Sequence, residues 1–257
     1  MIKKLISNLF DVLGCQVHRG RDPYEDIAVE LTDIDVDLIK YVHASRYSMA
    51  SIPRLVNTLK ACKYVVENKI PGDFVECGVW RGGNGILAKK TFQSLGSTKK
   101  VWMFDTFEGM TAPTSVDVSS QSQTAAESQY VASQKETHNE WCYASLNDVK
   151  KNCTDSGLDM DELEFIQGDV FDTLRCIEKL PDEISVLRLD TDWYESTKFE
   201  LETLYPRLSQ RGVLIIDDYG YWEGARKAVD EFFLKMPYKP LFNVVDSTGR
   251  SAIKSES

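Results

Sequence analysis

The chain has 257 residues, 42% hydrophobic and 27% charged, which suits one large soluble α/β domain with a sizeable core. Its 30 Lys and Arg against 40 Asp and Glu leave a net charge of −10, the wrong sign for a nucleic-acid partner, because phosphate recognition needs clustered cations. No apolar run approaches the roughly 20 residues of a transmembrane helix, and six cysteines without a Cys-x-x-Cys pair read as reduced thiols of a cytoplasmic protein, Cys77 and Cys176 in apparent core segments.

At the amino terminus Ile2, Leu5, Ile6, Leu9, Phe10 and Leu13 share a helical face beside Lys3 and Lys4. Ser7, Asn8 and Asp11 interrupt the run and no small-residue cleavage site follows, so it makes a poor signal peptide. The face suits a helix packed on the body or on a sister subunit, or a weak membrane-surface contact. Residues 15–35 are polar, with a turn at 19–23, and a short helix covers 35–44. Residues 1–45 thus read as an N-terminal helical extension of a domain running from 46 to 257.

Pro53 opens a helix with Leu55, Leu59, Cys62 and Val66 on its buried face, stopped by Pro71-Gly72. Strand and helix then alternate. Strands are expected at 73–77, 101–105, 163–167, 185–189 and 213–216. Helices are expected near 84–94, 145–153, after 169, at 196–210 with Leu208 inward, and at 223–236. Residues 238–245 and 251–254 could close the sheet as an antiparallel pair. This alternation predicts a doubly wound, mostly parallel sheet with helices on both faces. Residues 109–140, rich in Ser, Thr and Gln, are too long for an ordinary connection and read as a lid or binding loop.

Three groups of residues carry the chemistry, and each sits where an open α/β sheet binds ligands, at the carboxyl end of a strand. Glu76-Cys77-Gly78-Val79-Trp80-Arg81-Gly82-Gly83 puts an acid and a glycine turn after the first strand. It is neither a phosphate loop nor a G-x-G-x-x-G, and an acid there suits a cationic ligand better than a pyrophosphate. Asp105 ends the second strand, where an acid can accept both hydroxyls of a ribose. With Glu76 it favours S-adenosylmethionine over NAD. Asp169 could meet the adenine or simply cap a helix. Finally, Asp190, Asp217 and Asp218 offer only oxygen, which suits Mg²⁺ and disfavours Zn²⁺. Asp192, two residues beyond Asp190, faces the same cleft if the chain stays extended, free to act as general base. The competing reading for Asp217 and Asp218 is a carboxyl pair sharing a proton without metal.

Gly72–Gly83, Leu189–Thr197 and Ile215–Gly220, followed by Trp222, Gly224 and Arg226-Lys227-Ala228-Val229, resemble the macrocin O-methyltransferase family of sugar methyltransferases. Arg46-Tyr47-Ser48-Met49 and Phe104–Met110 are similar to further signatures of that family. Departures are mild: Ser48 and Ala50 stand where Thr is usual. The resemblance implies a seven-stranded class I methyltransferase fold and Mg²⁺-dependent O-methylation of a sugar hydroxyl of a glycoside or glycan. It implies Met49, Glu76, Gly78, Val79, Asp105 and Asp169 at the cofactor, and Asp190, Asp217 and Asp218 at the metal. It further implies Asp192 as base, Tyr47 and Tyr219 at the acceptor, and a homodimer or higher homo-oligomer. Two other classes compete: a non-catalytic cofactor-binding partner subunit, and an NAD-dependent sugar-modifying enzyme, which would want a true G-x-G-x-x-G.

Overall fold

The structure, a computed structural model, describes residues 23–24, 27–176, 178 and 180–255. The amphipathic segment within 1–22 and most of the turn at 19–23 lie outside the described residues. Seven strands form one sheet: β1 (Asp73–Cys77), β2 (Val101–Asp105), β3 (Leu163–Gln167), β4 (Ile184–Leu189), β5 (Leu208–Ile216), β6 (Asn243–Val244) and β7 (Arg250–Ile253). Their order is β3-β2-β1-β4-β5-β7-β6. The first five are parallel. β7 runs antiparallel to β5 and pairs with β6, closing the sheet where the hairpin was expected, though over fewer residues.

Side-chain alternation along these strands builds two cores. Phe74, Met103, Val186, Val213 and Ile215 face one side, against α1 (Asp33–Ala44), α2 (Ile52–Glu67), α3 (Gly83–Ser94) and α5 (Leu146–Asp155). Cys77, Phe104, Leu187, Leu189, Leu214 and Ile216 face the other, against a single turn α6 (Val170–Thr173), α7 (Tyr194–Leu204) and α8 (Glu223–Leu234). Helix starts follow local chemistry: Thr32 and Asp35 form a capping box on α1, Ser51 caps α2 with Pro53 in its first turn, and Ser145 caps α5. Ile39 and Val42 place α1 inside the first core.

Two expectations need correction. The helix expected at 196–210 ends at Leu204, because Pro206 tightens the chain into a 3₁₀ turn; Leu208 is buried as the first residue of β5. β5 therefore starts before Gly212 and carries a bulge, with Arg211 at φ 64° and the pairing to β4 jumping from Leu208 to Val213. Cys176, expected in the core, is exposed, whereas Cys62, Cys77 and Cys153 are buried free thiols. Between β2 and α5 the long connection is ordered around α4 (Glu127–Ser133) and short antiparallel bridges.

Candidate active site

A cavity of about 350 Å³ opens at the carboxyl ends of β1, β2, β4 and β5. Of the residues expected at the site, Met49, Glu76, Gly78, Val79, Asp105, Asp169, Asp190, Asp192, Asp217 and Asp218 all line it. Tyr47 and Tyr219 do not. The Tyr47 ring packs edge-on against Tyr41, and its carbonyl accepts from the Gly83 amide. The Tyr219 hydroxyl donates to Asp230, and its ring stacks on Phe242. Tyr221, 37% exposed, lines the cavity instead, with Trp80, Phe104 and Phe171.

The acids are organised by a residue that motif reading passed over. Glu76 and Arg188 are direct neighbours on β1 and β4, so they share a face; Asp190 and Asp217 stand two residues beyond Arg188 and Ile215, hence on the same face. Arg188 is 1% exposed and places its guanidinium among all three acids. One amino group donates to Glu76 at 2.8 Å and to Asp190 at 2.6 Å, and the other donates to Asp217. Arg54 from α2 holds the second oxygen of Asp217 and pairs with Asp246 at 3.0 Å. An arginine inside an apolar strand, Val186-Leu187-Arg188-Leu189, was the available signal, because such a charge needs partners.

Asp217 and Asp218 consequently separate. Consecutive strand residues point to opposite faces, so Asp217 joins the arginines, and both its oxygens are taken. Asp218 turns the other way. Its carboxylate, with those of Asp190 and Asp192, forms a group whose oxygens lie within 4.8 Å of one another. Asp192 does not get there by extension, since its φ is 69°. A left-handed turn swings its carboxylate back toward the group. Burial raises the pKa of all three, and their mutual repulsion adds to it: Asp192 is pushed up to about 7, Asp190 and Asp218 well above the usual range. One buried oxygen of Asp218 has no hydrogen-bond partner.

On the β1 side of Arg188, Glu76 is buried and raised to about 7, by desolvation against the pull of Arg188. Its second oxygen is also unpartnered. Asp105 has a structural duty beside any ribose contact. One oxygen accepts the Val79 and Trp80 amides at 2.6 and 3.1 Å, and the other the Phe107 amide at 2.7 Å, pinning the glycine turn after β1. Burial nonetheless holds its pKa above the usual value. Gly78 has φ 84°, and a Cβ there would sit 2.0 Å from the Asp190 carbonyl oxygen. The glycine is thus needed for β1 and β4 to meet, in addition to any ligand's approach. Asp169 caps α6 through the Phe171 amide at 2.9 Å while still lining the cavity. Thr191 and Cys142, which sequence reading did not single out, complete the wall near the acids.

This sheet order and a ligand cavity over the strand ends define the class I methyltransferase fold. The family model for macrocin O-methyltransferases matches residues 40–250, and the chain belongs to that family. It is 34% identical over 206 residues, covering 79% of this chain and 74% of the relative, to the 8-demethyl-8-(2,3-dimethoxy-α-L-rhamnosyl)-tetracenomycin-C 4′-O-methyltransferase of Streptomyces olivaceus. It is 32% identical over 210 residues, 80% of this chain and 75% of the relative, to the demethyldecarbamoylnovobiocin O-methyltransferase of Streptomyces niveus. Among solved structures, the O-methyltransferase NovP superposes with a TM-score of 0.75 at 27% identity, covering 87% of this chain and 98% of NovP. The calicheamicin methyltransferase CalS11, at a TM-score of 0.59 and 17% identity over 88% of this chain and 93% of CalS11, shares the fold.

Proposed function

We propose that this chain transfers the methyl group of S-adenosylmethionine to a hydroxyl of a sugar in a glycoside, and that Mg²⁺ assists. The observation that carries the reading is the split of the acids. Glu76 offers a buried free oxygen at the β1 end of the cavity, suited to the ammonium group of the methyl donor's amino acid. Asp190, Asp192 and Asp218 offer a second, all-oxygen group on the other side of Arg188, which bridges Glu76 and Asp190.

Those three carboxylates fit a hard divalent cation: oxygen donors only, mutual approach within 4.8 Å, and a buried Asp218 oxygen without a partner. Asp190 and Asp218 also belong to the set implied by family resemblance. The third member differs: Asp192 is in place, whereas Asp217 is held by Arg188 and Arg54. Bound there, Mg²⁺ would lower the pKa of a coordinated hydroxyl.

The chain's own residues do the rest. Asp192 takes the hydroxyl proton, and the oxygen then displaces the sulfonium methyl in line, releasing S-adenosylhomocysteine. Arg188 holds the acids of β1, β4 and β5 in one register, and Arg54 holds the second oxygen of Asp217. Most of the rate gain comes from alignment of oxygen and methyl within the cavity. The test incubates the protein with labelled S-adenosylmethionine and a panel of L-rhamnosides and related deoxysugar glycosides, with and without EDTA. The expected result is a singly methylated sugar, lost in chelator and restored by Mg²⁺. Labelled product at full yield in EDTA removes the metal. Absence of S-adenosylhomocysteine binding by calorimetry removes the methyl transfer.

A further inference from the structure

Helices α7 and α8 immediately follow the two catalytic acid segments, and neither caps itself. Their N-cap residues, Trp193 and Trp222, supply no side-chain hydrogen bond. The first amides of a helix need acceptors, and here one comes from elsewhere in the chain. Asp117, in the long connection between β2 and α5, is 0% exposed. Its Oδ1 accepts the Tyr194 amide of α7 at 2.8 Å. The same oxygen lies so near the start of α8 that a Cβ on Gly224 would stand 2.0 Å from it. Its Oδ2 accepts from the Thr114 amide at 2.7 Å and the Thr114 hydroxyl at 2.8 Å.

The neighbouring backbone is locked to the same place. The Glu223 amide donates to the Val118 carbonyl at 2.9 Å, and the Ser120 amide donates to the Tyr221 carbonyl at 2.8 Å. Arg226 donates to the Ser120 hydroxyl at 3.1 Å, and the Trp193 indole donates to the Thr111 carbonyl at 3.0 Å.

We propose that Asp117 is a positioning residue for the methylation site: its carboxylate caps α7 and packs against the first turn of α8, and thereby fixes Asp192 and Asp218 relative to each other. At α7 the anion is favoured by amide donation and by the helix dipole, and at α8 by the dipole alone. Asp192 stands two residues before Tyr194, and Asp218 six before Gly224, so fraying at either start loosens an acid. The long connection is on this view a fixed wall of the site as well as a cover. The inference rests on the proposed function only for what the two acids do.

The test uses the full chain and four variants: Asp117→Ala, Asp117→Asn, Gly224→Ala and the Asp117→Ala/Gly224→Ala double. Hydrogen exchange read by mass spectrometry should speed up at least about fivefold in the first turns of both α7 and α8 in Asp117→Ala. Asn keeps an acceptor oxygen and should fall between. Gly224→Ala should lower the melting temperature of the wild type, because it expels the carboxylate. In the Asp117→Ala background the 2.0 Å contact is removed and only the 3.2 Å approach to the Tyr194 Cβ remains, alanine is the better helix former, and the same change should cost much less than it does in the wild type. Calorimetry should show Mg²⁺ affinity weakened about tenfold in Asp117→Ala, as for loss of an outer-shell partner, with S-adenosylhomocysteine affinity within about twofold. Faster exchange confined to residues 109–140, the same Gly224→Ala effect in both backgrounds, or equal losses of both ligands overturns the proposal. A wild type that binds no Mg²⁺ removes the metal reading alone, and the exchange and melting results then decide.

Discussion

Arg188→Met is the sharpest single test of how the acids are held. The substitution keeps the apolar stem and removes the charge that faces Glu76, Asp190 and Asp217. Deleting one partner of a buried ion pair costs about 3–5 kcal/mol, because the other charge is left uncompensated. Arg54 still neutralises Asp217, so the lower end applies, about 3 kcal/mol. For a chain of this size each kcal/mol shifts the melting temperature by roughly 2–4 °C, so a fall of about 10 °C is expected at neutral pH. Glu76→Gln in the same background removes one stranded charge and should recover part of the loss, an interaction energy of about 1 kcal/mol by double-mutant cycle. The assay is urea denaturation followed by tryptophan fluorescence, near pH 7 and again near pH 9. The deficit should grow at the higher pH: Glu76 sits at about 7 beside Arg188 and higher without it, so raising the pH forces onto Glu76 a charge that has lost its partner. An Arg188→Met protein that melts within about 3 °C of wild type would show that the acids hold together without it.

Further outcomes follow from the same geometry. Asp192→Asn should lose about 10²–10⁴-fold in kcat while binding S-adenosylhomocysteine within a few-fold by calorimetry; turnover near wild type would take the base away from Asp192. Asp218→Asn should abolish measurable Mg²⁺ binding. Asp217→Asn should weaken it by only about 10–100-fold, as an outer-shell change does, and the reverse ranking would put Asp217 on the metal. Glu200, fully buried, is raised to about 8 by desolvation despite its hydrogen bond from Thr191 at 3.0 Å. Its folded pKa lies above the unfolded value, so its contribution is full below about 4.5 and is lost as pH rises through about 8. Glu200→Gln should therefore gain stability over wild type across that window, and parallel pH–stability curves would contradict the raised pKa. Asp246 is the opposite case: burial works against its charge, but Ser51, the Gly249 and Thr248 amides and Arg54 outweigh it and bring it to about 2. Stability from Asp246 is present above about 3.8 and lost as pH falls toward 2, so Asp246→Asn should flatten the acid limb of the melting curve there.

Much of the fold could be read directly because parallel strands buried on both faces leave an unbroken apolar record. β1 begins after Gly72, and the apolar runs of β1, β2 and β3 end at Gly78, Asp105 and Gly168. The same record failed at β5. Leu208 fits a helical face and a strand start equally well, and only its pairing with Ile184 across a bulge decides between them. That information lies in a neighbour 24 residues away in sequence, which no local pattern contains. Asp117 was hidden for a similar reason. In a polar loop one acid looks like any other, and its role appears only when α7 and α8 present their bare starts to it.

The acids that line the cavity stand at strand ends legible in the sequence, whereas their pairing with the arginines is not legible there, and strand period explains both. A strand ending in Asp-Asp cannot send both carboxylates to one place, because adjacent residues point to opposite faces. The question at such a strand end is therefore which acid meets the fixed positive charge of the protein and which stays open. Here Arg188 and Arg54 stand on the face shared by Glu76, Asp190 and Asp217. The inner acid is neutralised, and the outer acid, Asp218, keeps an unsatisfied oxygen beside Asp190 and Asp192. Asp190 touches both sets: its Oδ2 accepts from Arg188 at 2.6 Å, and its carboxylate also belongs to the oxygen group with Asp192 and Asp218. A charge change at Arg188 must then be felt at the methyl-accepting end of the cavity as well as at Glu76, which makes Asp190 the link between the two halves of the site.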